Sequence, residues 1–431
     1  MKKLVLILFI ALCYSCASTR YLDTREKEFG TKGTNAWSFH RLSDRDKGTS
    51  LVFPGYIVGL EKAYRKNIGA PKLSQIKKGN ALKELGYKQD VFEWKNLHKH
   101  KRWILNDGKP TFVSNIFEFK LSEKEHLNRI KVKPLYDAYD NAHLSIPTEA
   151  YYKGYRELMH FGDKIVKEIE EKKITHVFLM SMGWNTDQQE AVRNFNSLFS
   201  KILDNSNKED VNFKPLFIGF TWPSQWPIPV ISIFNKANDA DEIGMKWFNF
   251  LLHDKLLNVK NKLNFKTVVL GHSFGARLTS RAVMSADMLA NQSKPVDLLI
   301  NLESAYSIHR YSKNRGNKGI NEYYHWDKYV NNVALVLSEH DKATSVPFWT
   351  TYAGEKSAKH EVTKNAEDYN NIEVKNYVPG LKFNKKKQFL LIDASSIVRM
   401  NAYNKGGKAH SDIYNTQVAT MLWGLIKSST F

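Results

Sequence analysis

Thr267-Val268-Val269-Leu270-Gly271-His272-Ser273-Phe274-Gly275-Ala276-Arg277-Leu278 reads as a β-branched strand that stops at a glycine, turns through a serine and continues as a helix. The spacing Gly-His-Ser-Phe-Gly, set between strand and helix, is that of a nucleophile elbow. Ser273 would sit in a strained conformation at the tip of the turn, and Gly271 and Gly275 would leave room where strand and helix converge. Five such residues also occur in inert Gly/Ser turns. A serine hydroxyl is a poor nucleophile near neutral pH, so it needs a base to take its proton and an acid to orient that base.

Those partners are expected in the order Ser, acid, His, each in a loop beyond a strand. Asp341 lies four residues after Leu337, the last apolar residue of the strand Val333-Ala334-Leu335-Val336-Leu337. His410 lies between the last strand, Phe389 to Asp393, and a final helix carrying Val418, Met421, Leu422, Leu425 and Ile426 on one face. Glu303, at the end of Val296-Asp297-Leu298-Leu299-Ile300-Asn301-Leu302, is the alternative acid. His340 points away if Asp341 points in, and His272 cannot easily reach back to the neighbouring hydroxyl; both read as packed or solvated histidines. His98 and His100 have no third ligand nearby, so no metal is expected there. The oxyanion of the reaction needs N-H donors, for which the backbone groups of Phe274 and of Trp184, in Met182-Gly183-Trp184, are the candidates.

These residues require a scaffold of alternating elements. Tyr155, Leu158, Met159, Ile165, Val166 and Ile169 recur at helical spacing, and Ile174 to Met180 follows as a strand. Thr186 and Gln189 form a capping-box pattern before a helix with Val192, Phe195, Phe199 and Ile202 on one face. A strand Pro215 to Thr221, the turn Trp222-Pro223-Ser224 and a helix through Ile243, Trp247, Phe250, Leu251 and Leu257 lead to the elbow, and Arg277 to Leu289 reads as helical. Such alternation predicts an α/β fold with a mostly parallel sheet covered by helices on both faces and an active site at the carboxyl ends of the strands. Upstream, Leu51 to Leu60 reads as extended, and Arg102-Trp103-Ile104-Leu105, Asn106-Asp107-Gly108-Lys109 and Thr111-Phe112-Val113 as a hairpin. Trp226 to Ile231 and the aromatic residues Tyr323, Tyr324 and Trp326 read either as the lining of an acyl pocket or a lid, or as ordinary packing.

The amino-terminal residues carry a different signal. Met1-Lys2-Lys3, the apolar run Leu4 to Leu12 and Cys13-Tyr14-Ser15-Cys16-Ala17-Ser18 have the form of an export signal too short to span a bilayer. A small residue before Cys16 matches a bacterial lipoprotein signal, with Cys16 lipidated and a cell-envelope location; cleavage as an ordinary secreted protein is the plainer alternative. Both cysteines fall in this segment, so no disulfide can staple the remainder. Removal of Lys2 and Lys3 takes the formal charge from +20 to +18, but the lysines are scattered from Lys27 to Lys427, which excludes a recognisable nucleic-acid module. The expected organisation is 1–15 signal peptide, 16–50 tether, 51–150 amino-terminal extension that includes the sheet's first strands or stands as an appendage, and 151–431 hydrolase-type domain.

From Tyr155 to the C-terminus the chain resembles a lipase/esterase-like family of bacterial α/β-hydrolases of largely undefined activity. The segments that carry the likeness are Val177 to Thr186, Phe220 to Ser224, Asp239 to Glu242, Gly271 to Gly275, Leu337 to Asp341, Ile392 to Ser395 and His410-Ser411. Met182 stands where that family usually has histidine. The resemblance implies a serine hydrolase acting on a small-molecule or lipid acyl substrate, with Ser273, His410 and Asp341 as triad, no cofactor, and a membrane tie through Cys16. A non-catalytic envelope binding protein on the same scaffold is the alternative.

Overall fold

The structure, a computed structural model, describes residues 55–62, 110–121, 130–138 and 149–429, the last with gaps at 185, 187, 210–211, 225–228, 290–293, 315–321, 344–350 and 400–407. The signal segment with Cys16, the tether, His98, His100, the hairpin arm Arg102 to Leu105 and Trp226 to Ile228 lie outside the described residues.

Among the described residues ten strands form one sheet: β1 (Gly55–Lys62), β2 (Thr111–Leu121), β3 (Ile130–Asp137), β4 (His176–Ser181), β5 (Pro215–Thr221), β6 (Lys266–His272), β7 (Val296–Leu302), β8 (Val330–Leu337), β9 (Glu373–Asn376) and β10 (Gln388–Asp393). Their order is β3-β2-β1-β5-β4-β6-β7-β8-β10-β9. β2 pairs antiparallel with β1 and β3, and every other neighbouring pair is parallel. β1, β2 and β3 thus extend the parallel sheet along the β5 edge, with Gly55 to Gly59 in register with Phe217 to Thr221.

Side chains on the parallel strands alternate between two apolar layers, as a sheet buried on both faces requires. Val177, Leu179, Val269, Leu299, Val333, Leu335 and Leu391 pack in one layer. Phe178, Met180, Val268, Leu270, Leu298, Ile300, Ala334, Val336, Leu390 and Ile392 pack in the other. The first layer is closed by α1 (Ala150–Lys172), α3 (Pro229–Ile243) with its π-helical continuation through Leu257, and α4 (Phe274–Val283). The second is closed by α2 (Gln188–Asn207) and α6 (Thr416–Ser428), which contribute Phe195, Phe199, Ile202, Val418, Leu422 and Ile426, while the short α5 (Lys356–Lys364) lies beside β9 and β10. Among the described residues, no helix is long and apolar enough to cross a membrane.

Local readings are corrected in three places. α2 begins at Gln188; the backbone of Thr186 is instead tied to Ser224, whose Oγ accepts the Thr186 N-H at 3.0 Å and donates to its carbonyl. α4 stops at Val283 instead of running to Leu289, because the Ala282 carbonyl faces the side chains of Asn249, His253 and Ser285. β9, the four-residue segment Glu-Val-Lys-Asn paired with β10, has no apolar alternation that would mark it in the sequence.

One buried ion pair fastens the added strands. Glu242 Oε1 accepts the Thr111 backbone N-H at 2.8 Å, the Thr111 hydroxyl at 2.9 Å and the Lys246 ammonium at 3.0 Å, with Glu242 and Lys246 1% and 2% exposed. Removing one partner leaves a buried charge uncompensated, which costs about 3–5 kcal/mol. Glu242→Leu is therefore expected to lower the denaturant midpoint sharply, and the double variant Glu242→Leu/Lys246→Met to recover most of the loss, as a double-mutant cycle would show.

Candidate active site

Strand register alone brings the loops together. Ser181 pairs with Gly271, His272 with Leu302, Leu302 with Val336, and Leu337 with Asp393. The loops after β4, β6, β7, β8 and β10 therefore leave the sheet at one level, on its carboxyl edge. β5 lies on one side of β4 and β6 on the other, so the chain reverses its direction of winding here, which is where such sheets open a crevice.

Ser273 occupies that crevice with φ 55° and ψ −122°. A positive φ strains a residue with a Cβ, and three backbone hydrogen bonds hold it: Ser273 N-H to the Leu302 carbonyl at 3.0 Å, and the N-H groups of Ala276 and Ala305 to the Ser273 carbonyl at 3.1 Å each. The convergence expected from the sequence is present. A Cβ at Gly275 would lie 2.2 Å from the Ser181 carbonyl oxygen, and one at Gly271 2.5 Å from the Ala276 Cα.

The loop after β4 lies directly against the serine. A Cβ on Gly183 would come within 2.7 Å of the Ser273 Cβ and 3.1 Å of its Oγ, so the backbone of Met182-Gly183-Trp184 passes beside the hydroxyl. Met182, buried where a histidine was expected from the resemblance, offers its carbonyl to the Trp222 indole N-H at 2.8 Å. Trp184 is half-buried there. Phe274 is the first residue of α4, so its N-H has no acceptor within the helix.

Asp341 and His410, 69 residues apart, meet through Nδ1 and Oδ2 at 2.7 Å. Burial alone would raise the Asp341 carboxyl; the hydrogen bond and charge of His410, helped by the Ala343 N-H at 2.8 Å, outweigh it and hold the group below its ordinary value. Among the described residues no hydrogen bond joins Ser273 Oγ to His410. Such contacts are often long before substrate is bound. The two are linked through His272, whose Nε2-H donates to the His410 carbonyl at 2.8 Å and whose ring centroid lies 4.8 Å from that of His410.

His272 and Asn415 therefore have positioning roles that their sequence context did not reveal. Asn415 caps α6 by accepting the Val418 N-H at 2.9 Å and donates to the carbonyls of Ile397 and Asp412. It ties the short helix bearing His410, Lys408–Tyr414, to the segment after β10. No signal beyond an N-cap asparagine marks it in the sequence.

Glu303 is also drawn into the site. It is fully buried, and its ligand atom, one from Asp341 and one from His410 all lie within 4.8 Å of one another. Three such atoms could hold a metal ion. His410 Nδ1 and Asp341 are already engaged with each other, and burial and the neighbouring Asp341 charge suppress the ionisation of Glu303. The set is better suited to proton chemistry than to a cation.

The aromatic residues after β7 are packing. Tyr323 and Trp326 are buried, and Trp326 packs edge-on against Phe389 at the amino end of β10, away from the crevice. His340 is near Glu339, with its side chain 43% exposed.

A family model described as alpha/beta hydrolase of unknown function (DUF900) matches residues 159–305. The fold is that of an α/β-hydrolase. The matched stretch contains the elbow, the Gly183 loop and Glu303, and ends before Asp341 and His410, so on this hydrolase scaffold the family match and the site geometry are separate observations. No curated protein matches the sequence.

Burial holds His272 down to about 3, with His410 adding to the effect, and burial holds His253 down to about 4. Both are neutral in the folded protein above those values and take up protons below about 6.5 once unfolded, so stability is expected to fall as pH drops from about 6.5 to about 3, the His253 part ending near 4. His272→Gln keeps an N-H for the His410 carbonyl but cannot titrate. Urea midpoints measured across that interval should decline less steeply in this variant than in wild type.

Proposed function

We propose that the protein is a serine hydrolase that cleaves acyl esters or thioesters through Ser273, His410 and Asp341. The observation that carries this reading is the 2.7 Å bond between His410 Nδ1 and Asp341 at the same sheet edge as a serine held at φ 55°. With Nδ1-H committed to Asp341, His410 Nε2 is the nitrogen left to take a proton from Ser273 Oγ. Ser273 Oγ then bonds to the acyl carbon, and the leaving group departs with the proton returned by His410. Water, activated by the same imidazole, resolves the acyl-enzyme. The N-H groups of Phe274 and Trp184 receive the oxyanion, each donor contributing about 3 kcal/mol to the rate.

Three further features support the assignment. The order Ser, Asp, His is the one an α/β-hydrolase uses. Gly183 brings the second oxyanion loop into contact with Ser273. An Asp–His pair retained at the crevice also argues against a binding protein on a retired scaffold, in which nothing would maintain that geometry. We include in the proposal export and lipidation at Cys16, for which the support is the segment Met1 to Ser18 alone.

A fluorophosphonate probe is expected to label the folded protein and to lose all labelling in Ser273→Ala; absence of labelling in wild type would overturn the catalytic reading. Asp341→Asn should slow labelling by about 10³- to 10⁴-fold, as replacement of a triad acid does. For the anchor, intact-mass analysis of membrane fractions should show a lipidated species beginning at Cys16 that disappears in Cys16→Ala.

A further inference from the structure

We propose that Glu303 is a positioning residue that works as a neutral carboxylic acid, donating a hydrogen bond to Asp341 and thereby fixing the carboxylate that orients His410. The proposal rests on the triad reading above and gives Glu303 a role different from that of an alternative acid.

Glu303 directly follows β7, and its N-H donates to the Val336 carbonyl at 3.0 Å, so its backbone is locked to the neighbouring strand. Its φ of 45° is left-handed, a conformation that costs a side chain about 1–3 kcal/mol and persists only where the surroundings impose it. Ser273 and Glu303, each the residue after its own strand in the adjacent pair β6 and β7, are two of four non-glycine residues with positive φ among the described residues. Both turns send a functional side chain towards the same crevice. A strap then closes over Glu303: the Gly354 N-H donates to the Ser304 carbonyl at 3.0 Å, and the Ser338 N-H to the Gly354 carbonyl at 3.4 Å. The side chain is left with 0% exposure.

The chemistry follows from what surrounds that buried group. Ionised, both Glu303 oxygens would be buried acceptors that no donor satisfies, beside the negative Asp341 and with Asp393 and Asp412 adding to the repulsion. Protonated, Glu303 becomes a donor, and Asp341 is the acceptor within reach. Burial and the Asp341 charge favour this form, raising the carboxyl well above its ordinary range. Asp341 then accepts from His410 Nδ1-H, from Glu303 and from the Ala343 N-H, which leaves it little freedom to rotate away from the imidazole. The three groups together carry a single negative charge while His410 is neutral.

The test separates a donated proton from a carboxylate charge. Glu303→Gln retains a donor and is expected to react with a fluorophosphonate within about threefold of wild type. Glu303→Leu keeps the volume but donates nothing, and should react roughly 10- to 100-fold more slowly, the rate equivalent of one hydrogen bond to a charged group. The downfield proton resonance of the His410 Nδ1-H should move in the Leu variant and stay in place in the Gln variant. Wild-type reactivity in Glu303→Leu would overturn the proposal, as would a Gln variant as slow as the Leu variant. Should Glu303→Leu fail to fold, the infrared carbonyl band of a protonated buried carboxyl decides: it should be present in wild type and lost in Glu303→Gln, and its absence from wild type refutes a neutral Glu303. Should wild type fail to label at all, the acyl-transfer reading falls, and the resonance and the infrared band still decide the state of Glu303.

Discussion

In-register pairing of the parallel strands is the constraint on which the site depends. A parallel ladder fixes each strand end relative to its neighbours, and here Ser181, His272, Leu302, Leu337 and Asp393 all finish close to one level. A slip of one residue would reverse every side chain between the two apolar layers, so burial on both faces holds the register against slippage. Residues scattered over more than two hundred positions of sequence are thereby delivered to one edge with little further steering. Steering is left to backbone turns, and two of these carry positive φ on residues with side chains, at Ser273 and Glu303.

Behind the elbow, a second network holds α4, whose first turn carries the candidate oxyanion donor. Arg277 and Arg281, one helical turn apart, both bind Asp241 of α3, the first through two bonds of 2.7 Å. Burial alone would raise the Asp241 carboxyl, but the two guanidinium groups hold it well below its ordinary value. Tyr306 lies beneath both arginines, at 5.4 and 5.6 Å from ring centroid to guanidinium carbon, and follows Ala305, whose N-H bonds the Ser273 carbonyl. A buried carboxylate with two cations is costly to break, so this pairing keeps the helix from shifting relative to the turn. Ser273 is braced from the sheet side by Leu302 and from the helix side by this cluster.

Neutral groups matter in the crevice as much as charged ones. His272 is kept neutral by burial and serves as a donor to the His410 backbone. Burial and the Asp341 charge push the Glu303 carboxyl well above its ordinary value, towards the neutral form. A low-dielectric site cannot hold many like charges close together, so crowding carboxyl groups around one imidazole leaves the net charge small.

Much of this was legible in the sequence because it is local. A strand ending at a glycine, a serine before a helix, an aspartate four residues past an apolar strand and a histidine in the last loop are each encoded by neighbouring residues, as is the alternation that predicts a parallel sheet. Gly183 could be picked out for the same reason, since a strand leads straight into it. What tertiary structure decided is what depends on distant partners. The pairing of β1 with β5, the inclusion of the polar β9, the end of α4 at Val283 and the role of Asn415 rest on groups far away in the chain. The choice between Asp341 and Glu303 is of the same kind: both follow strands and both are acidic. Sequence order admits either as the partner of His410, and only packing puts Asp341 at 2.7 Å from the imidazole while burying Glu303 behind it, because burial and proximity are properties of the folded chain.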